Sequence, residues 1–436
     1  MVKYLTNLNN INKLILFYLI FIILISISSL LLSHLYILKN SVILDSDLNI
    51  VIKKIPFFWG NLVNNIYDNF SFTTEEVGFT FYLQKFPLPA LYLALILKIS
   101  KNIYIFMLIK NIISSTFIFF TLYFFLINNK KNFFFFIILI LAVFLVPYNS
   151  ATIFAFMYAD HLTSFLVPIL FLSLLNENKK NYFFIGFLIF FLYFTKPSMF
   201  FICLLIPFLI IYLDKSKKNF LRFIPLFFLL TAILAWGFYG LAKTGKFPFG
   251  KTLLSNNSFD FVSVSNHEFI KNYPKVTVDI AQAVIVSNII DTSKFKSEWE
   301  YYDAFDNRNK KYLVNNFGEY LRGIPKKISF VFFYIYRDNI HPEEFKVIGN
   351  KIRYSSILNR LSLNLAFLIA LYTLLKNFRN ILNFKTEIYY LTIVCLNLLP
   401  HIYAWATNKH LVGIYITSNL YLIFKFLNKK FIFNEN

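Results

Sequence analysis

The sequence predicts an all-α polytopic membrane protein with about ten transmembrane helices, and three observations carry that expectation. The 436 residues are 58% hydrophobic and 20% aromatic, with a mean hydropathy of +0.59, well beyond what the core of a water-soluble domain requires. Apolar runs recur along the chain, and about 20 helical residues suffice to cross about 30 Å of hydrocarbon. The formal charge of +21 gathers in short loops between those runs, which is the distribution that sets membrane topology.

The first run, residues 14–33, follows a basic, Asn-rich start that includes Lys3 and Lys13. No small-residue cleavage site follows it, so it is expected to act as an uncleaved signal anchor. Further runs occupy residues 104–127, 133–148, 158–175, 181–195, 198–213, 221–240, 355–376, 388–406 and 411–428. The stretch 182–213 is interrupted only by Thr195-Lys196-Pro197. Proline can kink a membrane helix without ending it, but a single bent helix would put Lys179 and Lys215 on opposite sides. A helical hairpin keeps them together and is the expected arrangement.

Strict alternation through ten helices puts Lys130 and Lys131, Lys179 and Lys180, the clusters 215–222 and 376–385, and the tail 425–430 on one side. The positive-inside rule makes that side cytoplasmic and places both termini there. The opposite face receives the loop 34–103, turns at 148–160 and 195–197, the long segment 241–354 and the turn 407–410. Residues 86–100 are apolar but too short to cross, which suits a helix lying at the interface. Residues 299–320 read as helical, and 330–336 as a further interfacial helix. No internal repeat or low-complexity linker divides the chain, so residues 1–436 are expected to form one membrane domain with extracytoplasmic elaborations.

Several classes are disfavoured. So basic a soluble protein would suggest nucleic acid as a partner, but loop placement ties this charge to topology and the lipid bilayer. Cys203 and Cys395 lie inside apolar runs without metal-ligand spacing. The 57 Phe, with abundant Ile, Asn and Lys, fit an AT-rich codon bias and read as packing or lipid-facing side chains. The six histidines show no HExxH spacing, and no Gly-rich phosphate loop follows a strand, which argues against a cytosolic nucleotide-sugar enzyme.

The order of polar landmarks narrows the class further. Asp45-Ser46-Asp47 follows the first run, and Lys85-Phe86-Pro87-Leu88-Pro89-Ala90 leads into an apolar segment. Ala159-Asp160-His161-Leu162 opens another run, and Phe194-Thr195-Lys196-Pro197-Ser198 forms a turn. Trp236 precedes Thr244-Gly245-Lys246-Phe247-Pro248, and the stretch 315–327 ends in Pro325-Lys326-Lys327. In this order the pieces resemble the GT-C superfamily of polyprenyl-phosphate-dependent glycosyltransferases, in the branch of protein O-mannosyltransferases and the aminoarabinose transferase of lipid A. The resemblance covers most of the chain through short motifs whose strength is their order. Asp-Ser-Asp stands where the family commonly has adjacent acids, Lys196 where it has Arg, and Lys409-His410 where Arg-Tyr is frequent.

The resemblance implies GT-C-like extracytoplasmic loops carrying interfacial helices in a bacterial inner membrane. It also implies transfer of a sugar from a polyprenyl-phosphate donor to a hydroxyl of a glycan, lipid or protein acceptor. Such transfer needs a base for the acceptor proton and cations for the leaving phosphate. Asp45 or Asp47 corresponds to the family's base, with its neighbour orienting the acceptor or holding a divalent metal ion. Asp160 joins them, with plain stabilisation of a helix N-terminus as its alternative. Lys85, Lys196, Lys409 and His410 are the candidates for binding the donor phosphate; snorkelling at the interface is the bland role for each lysine. His161 is a further hydrogen-bonding candidate, while Glu75 and Glu76 read as surface charges. No cofactor is assigned beyond that open metal question. Two other classes stay open. An envelope polysaccharide polymerase or ligase would keep its key residues in a late loop. A multi-pass lipid or solute transporter would bury ionisable groups at mid-membrane or repeat broken helices in two halves, whereas here the charges sit at the ends of runs and Lys110 is expected within reach of an interface.

Cysteine-accessibility labelling checks the topology. In intact cells a cysteine replacing Ser258 is expected to react with an impermeant thiol reagent, and one replacing Ser216 is not. The reverse pattern would discard the ten-helix arrangement.

Overall fold

In hydrocarbon only a helix satisfies the backbone of a single apolar segment from within, and the apolar runs accordingly fold as helices. The structure, a computed structural model, describes residues 16, 19, 20, 23, 57–76, 79–83, 86–128, 142–144, 146, 149, 153, 159–175, 181–214, 220–248, 295–333, 346–403 and 411–427. Its helices are α1 Phe57–Asn69, α2 Pro87–Ile99, α3 Ile103–Asn128, α4 Ala159–Leu175, α5 Tyr182–Tyr193, α6 Phe200–Leu213 and α7 Ile224–Thr244. They continue with α8 Glu298–Asn315, α9 Phe317–Phe333, α10 Lys346–Lys376, α11 Lys385–Tyr403 and α12 Val412–Leu427. Short 3₁₀ turns at Pro197–Met199, Phe220–Phe223 and Phe378–Asn383 punctuate them.

Among the described residues, three helical stretches are long and apolar enough to cross a membrane: Tyr104–Thr121, Phe220–Thr244 and Ser355–Lys376. Apolar but shorter helices cover Pro87–Ile99, His161–Leu175, Tyr182–Tyr193, Pro197–Leu213 and Val412–Phe426. The runs 14–33 and 133–148 lie mostly outside the described residues. Exposed faces are apolar at helical spacing: Phe183, Phe187 and Phe191 on α5; Phe227, Leu230, Leu234 and Phe238 on α7; Leu361, Leu365, Leu368 and Leu375 on α10. Lys110, Asn111, Ser114 and Ser115 of α3 are instead buried. Apolar faces outside and polar groups inside suit a lipid surround.

One element departs from the all-α expectation. Strands β1 Thr74–Glu76 and β2 Phe79–Phe81 pair antiparallel, with Thr74 opposite Phe81 and Glu75 opposite Thr80. So short a pair is not stable alone. It forms because Phe81 is buried against Tyr301 and Tyr302 of α8, at ring-centroid distances of 5.3 and 6.4 Å. Glu75 is exposed on β1. Residues 330–333 of the expected interfacial helix form the end of α9, which runs from Phe317 through Pro325 to Phe333, and residues 334–336 lie outside the described residues.

Lys196 has extended backbone angles (φ −160°, ψ 154°) that break the helix between α5 and α6. Cys203 Sγ donates to the Ile189 carbonyl at 3.4 Å, and these two residues are equally far in sequence from Lys196. Further from the turn, Tyr182 donates to Asp214 Oδ2 at 3.1 Å. α5 and α6 are therefore an antiparallel hairpin, with a Lys196 end and an Asp214 end that serve to orient the other helices.

At the Asp214 end, Lys385 approaches the Asp214 carboxylate at 3.6 Å and Arg222 donates to the Asp214 carbonyl at 3.4 Å. Glu387 and Lys425 form a buried ion pair there, near stacked Tyr390 and Tyr421 with centroids 4.3 Å apart. α11 thus starts at the Asp214 end and α12 finishes there. Their other ends lie towards Lys196, where Asn397 donates to Met199 Sδ at 3.9 Å. Gly413 lets α12 approach α4 closely: a Cβ there would stand 2.7 Å from the Thr163 carbonyl oxygen. That contact brings the N-terminal ends of α4 and α12 together.

Removing one partner of a buried ion pair leaves the other charge uncompensated, at about 3–5 kcal/mol, whereas replacing both with apolar groups is often neutral. Lys425→Met is therefore expected to destabilise the purified protein more than Lys425→Met combined with Glu387→Leu. Equal or greater loss in the double variant, by thermal unfolding in one detergent, would contradict the pair's role.

Candidate functional site

Several segments distant in sequence meet at the Lys196 end. Phe86 is extended (φ −68°, ψ 140°) ahead of α2, whose first turn contains proline, a position where no amide donor is needed. Its ring is buried against Tyr193, Phe194 and Trp236, with centroids at 5.4, 6.4 and 5.3 Å. The Leu88 amide donates to the Phe194 carbonyl at 3.3 Å. This contact sets α2 against the Thr195-Lys196-Pro197 turn. Within the turn Thr195 Oγ1 donates to the Leu192 carbonyl at 2.6 Å and the Met199 amide to the Lys196 carbonyl at 3.0 Å. Lys196 itself is only 8% exposed.

One helical turn further along α2, Tyr92 stacks on His161 with centroids 5.7 Å apart. Its hydroxyl lies 3.4 Å from His161 Nε2 and donates to the Lys110 carbonyl at 3.5 Å. Lys110 is fully buried, and its Nζ donates to the Ile153 carbonyl at 3.0 Å. Ser114 Oγ donates to the Lys110 carbonyl at 2.8 Å and lies 3.4 Å from His161 Nε2. A lysine buried inside an apolar helix is costly unless hydrogen-bonded or paired, and is a functional candidate by default. Its sequence signal was a lone cation within the run 104–127.

The C-terminal end of α7 closes another side. Gly245 adopts the left-handed conformation (φ 71°) that ends α7, a conformation that favours glycine. The chain then folds back so that Phe247 lies on Gly237 and Pro248 on Gly240, where a Cβ would stand 2.6 Å from Pro248 Cδ and 3.3 Å from Leu83 Cδ1. Trp236 stacks on Tyr239 at 5.3 Å, and the Tyr239 hydroxyl donates to the Phe72 carbonyl at 3.2 Å. Lys246 Nζ sits 5.5 Å from the Trp299 ring centroid.

Glu298, the first residue of α8, is 3% exposed. Its Oε2 accepts from the Tyr82 amide at 2.9 Å and the Leu83 amide at 3.2 Å. Burial pushes its carboxyl above the ordinary glutamate range, with the two amides and the Tyr302 hydroxyl pulling the other way. Nothing local in the sequence distinguishes Glu298 from a surface charge in the first turn of a helix.

Of the expected site residues, Lys196 stands at this end, and Asp160 occupies the first turn of α4 beside His161. Asp45, Asp47, Lys85, Lys409 and His410 lie outside the described residues. Leu83 and Phe86, which flank Gln84-Lys85, belong to this end, as do the end of α11 and the start of α12, which flank 404–410. Among the described residues no group of three His, Cys, Asp or Glu side chains gathers as a metal site. No family profile, curated protein or solved structure matches the chain. Two buried lysines, Lys110 and Lys196, stand at this end with the start of α4.

A raised folded-state pKa makes Glu298's contribution to stability fully present below the unfolded carboxylate range and lost as pH rises through the raised value. Glu298→Gln keeps a carbonyl acceptor for the two amides and removes the buried charge. The variant is therefore expected to compare best with the natural protein at neutral pH, and to lose ground to it as pH falls towards the ordinary glutamate range. Thermal unfolding at several pH values checks this; a pH-independent difference would refute the titration.

Proposed function

We propose that the protein is an integral membrane glycosyltransferase of the GT-C type, moving a sugar from a polyprenyl-phosphate donor to an acceptor hydroxyl. The observation that supports this reading is the convergence at one end of Phe86-Pro87, Asp160-His161, Phe194-Thr195-Lys196-Pro197 and Thr244-Gly245-Lys246-Phe247-Pro248, with Lys196 and Lys110 buried there. These are the landmarks whose sequence order resembled that superfamily. Arg222, Lys385 and Lys425 lie at the opposite end, a distribution that supports ten alternating spans, a cytoplasmic Asp214 end and an extracytoplasmic Lys196 end in a bacterial inner membrane.

In this reading the acceptor oxygen attacks the anomeric carbon as the bond from that carbon to the phosphate oxygen breaks. Asp45 or Asp47 takes the acceptor proton, and Asp160 helps hold the acceptor. The leaving polyprenyl phosphate keeps the bonding electron pair, and Lys85, Lys196, Lys409 and His410 stabilise its charge. The neighbouring acid would orient the acceptor or hold a divalent ion. One observation favours the transporter reading instead: Lys110 is an ionisable group buried within a helix of spanning length, as transport pathways require.

Purified protein in lipid nanodiscs is expected to consume a polyprenyl-phosphate-linked sugar. Asp45→Asn with Asp47→Asn should lower transfer by about 10²-fold or more. At least one of Lys85→Met, Lys196→Met and Lys409→Met should weaken the donor step selectively, since truncating one member of a desolvated charge pair costs about 2–5 kcal/mol. Turnover of a nucleotide sugar without lipid, or full activity in every variant, would overturn the assignment. Movement of the lipid across vesicles without sugar transfer would establish the transporter.

A further inference from the structure

An apolar groove runs between α6 and α11 towards the Asp214 end. Leu205, Phe208, Leu209 and Tyr212, which share one face of α6, form one wall, Thr392 of α11 forms the other, and the groove encloses about 340 Å³. Leu205, Phe208 and Tyr212 are exposed, so the groove opens outwards to the lipid side of the helices. α6 and α11 are antiparallel, with Asn397 meeting Met199 at one end and Lys385 meeting Asp214 at the other. Tyr212, just before Asp214, is therefore the groove residue nearest the Asp214 end. Lys385 precedes Thr392 by two helical turns on the same face of α11, about 10 Å along the axis. Its ammonium, 3.6 Å from Asp214 Oδ1, thus stands at the end of the groove, and Arg222 is held beside it by its bond to the Asp214 carbonyl.

The charge around that end is mainly positive. Lys376 and Arg379 are exposed between α10 and α11, and the stretch 376–385 contains no acid. Of the described acids there, Glu387 is buried against Lys425, which leaves Asp214 to share Lys385. The Lys385 side chain keeps 26% exposure, enough to meet a second anion. Phe378 and Leu382 expose apolar side chains beside Arg379, a mixture that suits the boundary between hydrocarbon and headgroups.

We propose that this groove binds an anionic glycerophospholipid of the surrounding bilayer, with one acyl chain along Leu205, Phe208, Leu209 and Tyr212 and the phosphate at Lys385 and Arg222. A basic rim beside an apolar furrow between membrane helices recognises both halves of such a lipid. A zwitterionic lipid satisfies the furrow and gains less from the rim. The bound lipid would tie α6 to α11 at the end opposite Lys196, independently of the chemistry proposed there.

The test is native mass spectrometry of the full-length protein released from micelles that hold equal amounts of phosphatidylglycerol and phosphatidylcholine with identical chains. Phosphatidylglycerol is expected to be retained about tenfold or more in preference, from two basic side chains at the headgroup. Lys385→Met with Arg222→Met should lower its retention to that of phosphatidylcholine, while Lys385→Arg, which keeps the charge, should preserve the preference. Thr392→Trp fills the groove without altering charge and should abolish retention of phosphatidylglycerol. Asp214→Asn separates lipid binding from a purely structural role of Lys385: it removes the competing carboxylate, so retention should hold or rise. Lys310→Met, on the exposed side of α8, should change nothing. Equal retention of the two lipids, unchanged retention in Thr392→Trp, loss in Asp214→Asn, or an equal loss in Lys310→Met would refute the site. If the double methionine variant does not fold, Thr392→Trp and Asp214→Asn decide the question.

Discussion

The fixing of Phe86 among Tyr193, Phe194 and Trp236 is the constraint on which the Lys196 end depends. It joins three segments that share no local sequence: the approach to α2, the turn of the α5–α6 hairpin, and α7. Buried aromatic contacts are strong per residue and directional, so one ring sets both the position and the tilt of α2. The Leu88 to Phe194 hydrogen bond then sets its register. With α2 so placed, Tyr92 one turn on comes to face His161 and Lys110. A smaller side chain at position 86 would release all of these contacts together, which is why the polar cluster and the lysine turn are properties of one packing solution.

The two ends of the helices differ in chemistry. At the Asp214 end acids and bases meet as ion pairs that cross-link α6, α11 and α12. At the Lys196 end the buried Lys110 donates to the Ile153 carbonyl and the exposed Lys246 sits over the Trp299 ring. The ion pairs tie helices together.

Helix positions were legible in the sequence because length and hydropathy decide them: the run 104–127 is α3 Ile103–Asn128, and 158–175 is α4 Ala159–Leu175. The hairpin at Lys196 was legible from loop charge, which a bent helix would have violated. The strands β1 and β2 were not, because three residues each carry too little periodicity, and their pairing depends on Tyr301 and Tyr302 far along the chain. Lys196 stood out as a turn residue. Lys110 stood out only as an exception in an apolar run, and its carbonyl partner at Ile153 belongs to another segment. Glu298 left no pattern at all, since its partners are main-chain amides, and these carry no side-chain signature.

Glu298 and Lys110 were hard to recognise for a common physical reason. Each is held by main-chain groups distant in sequence, the amides of Tyr82 and Leu83 in one case and the carbonyl of Ile153 in the other. Such contacts leave the identity of the partner side chains unconstrained, so sequence pattern does not reveal them, yet they constrain backbone position closely. The placement of the Lys196 end therefore depends on a few contacts to main-chain groups.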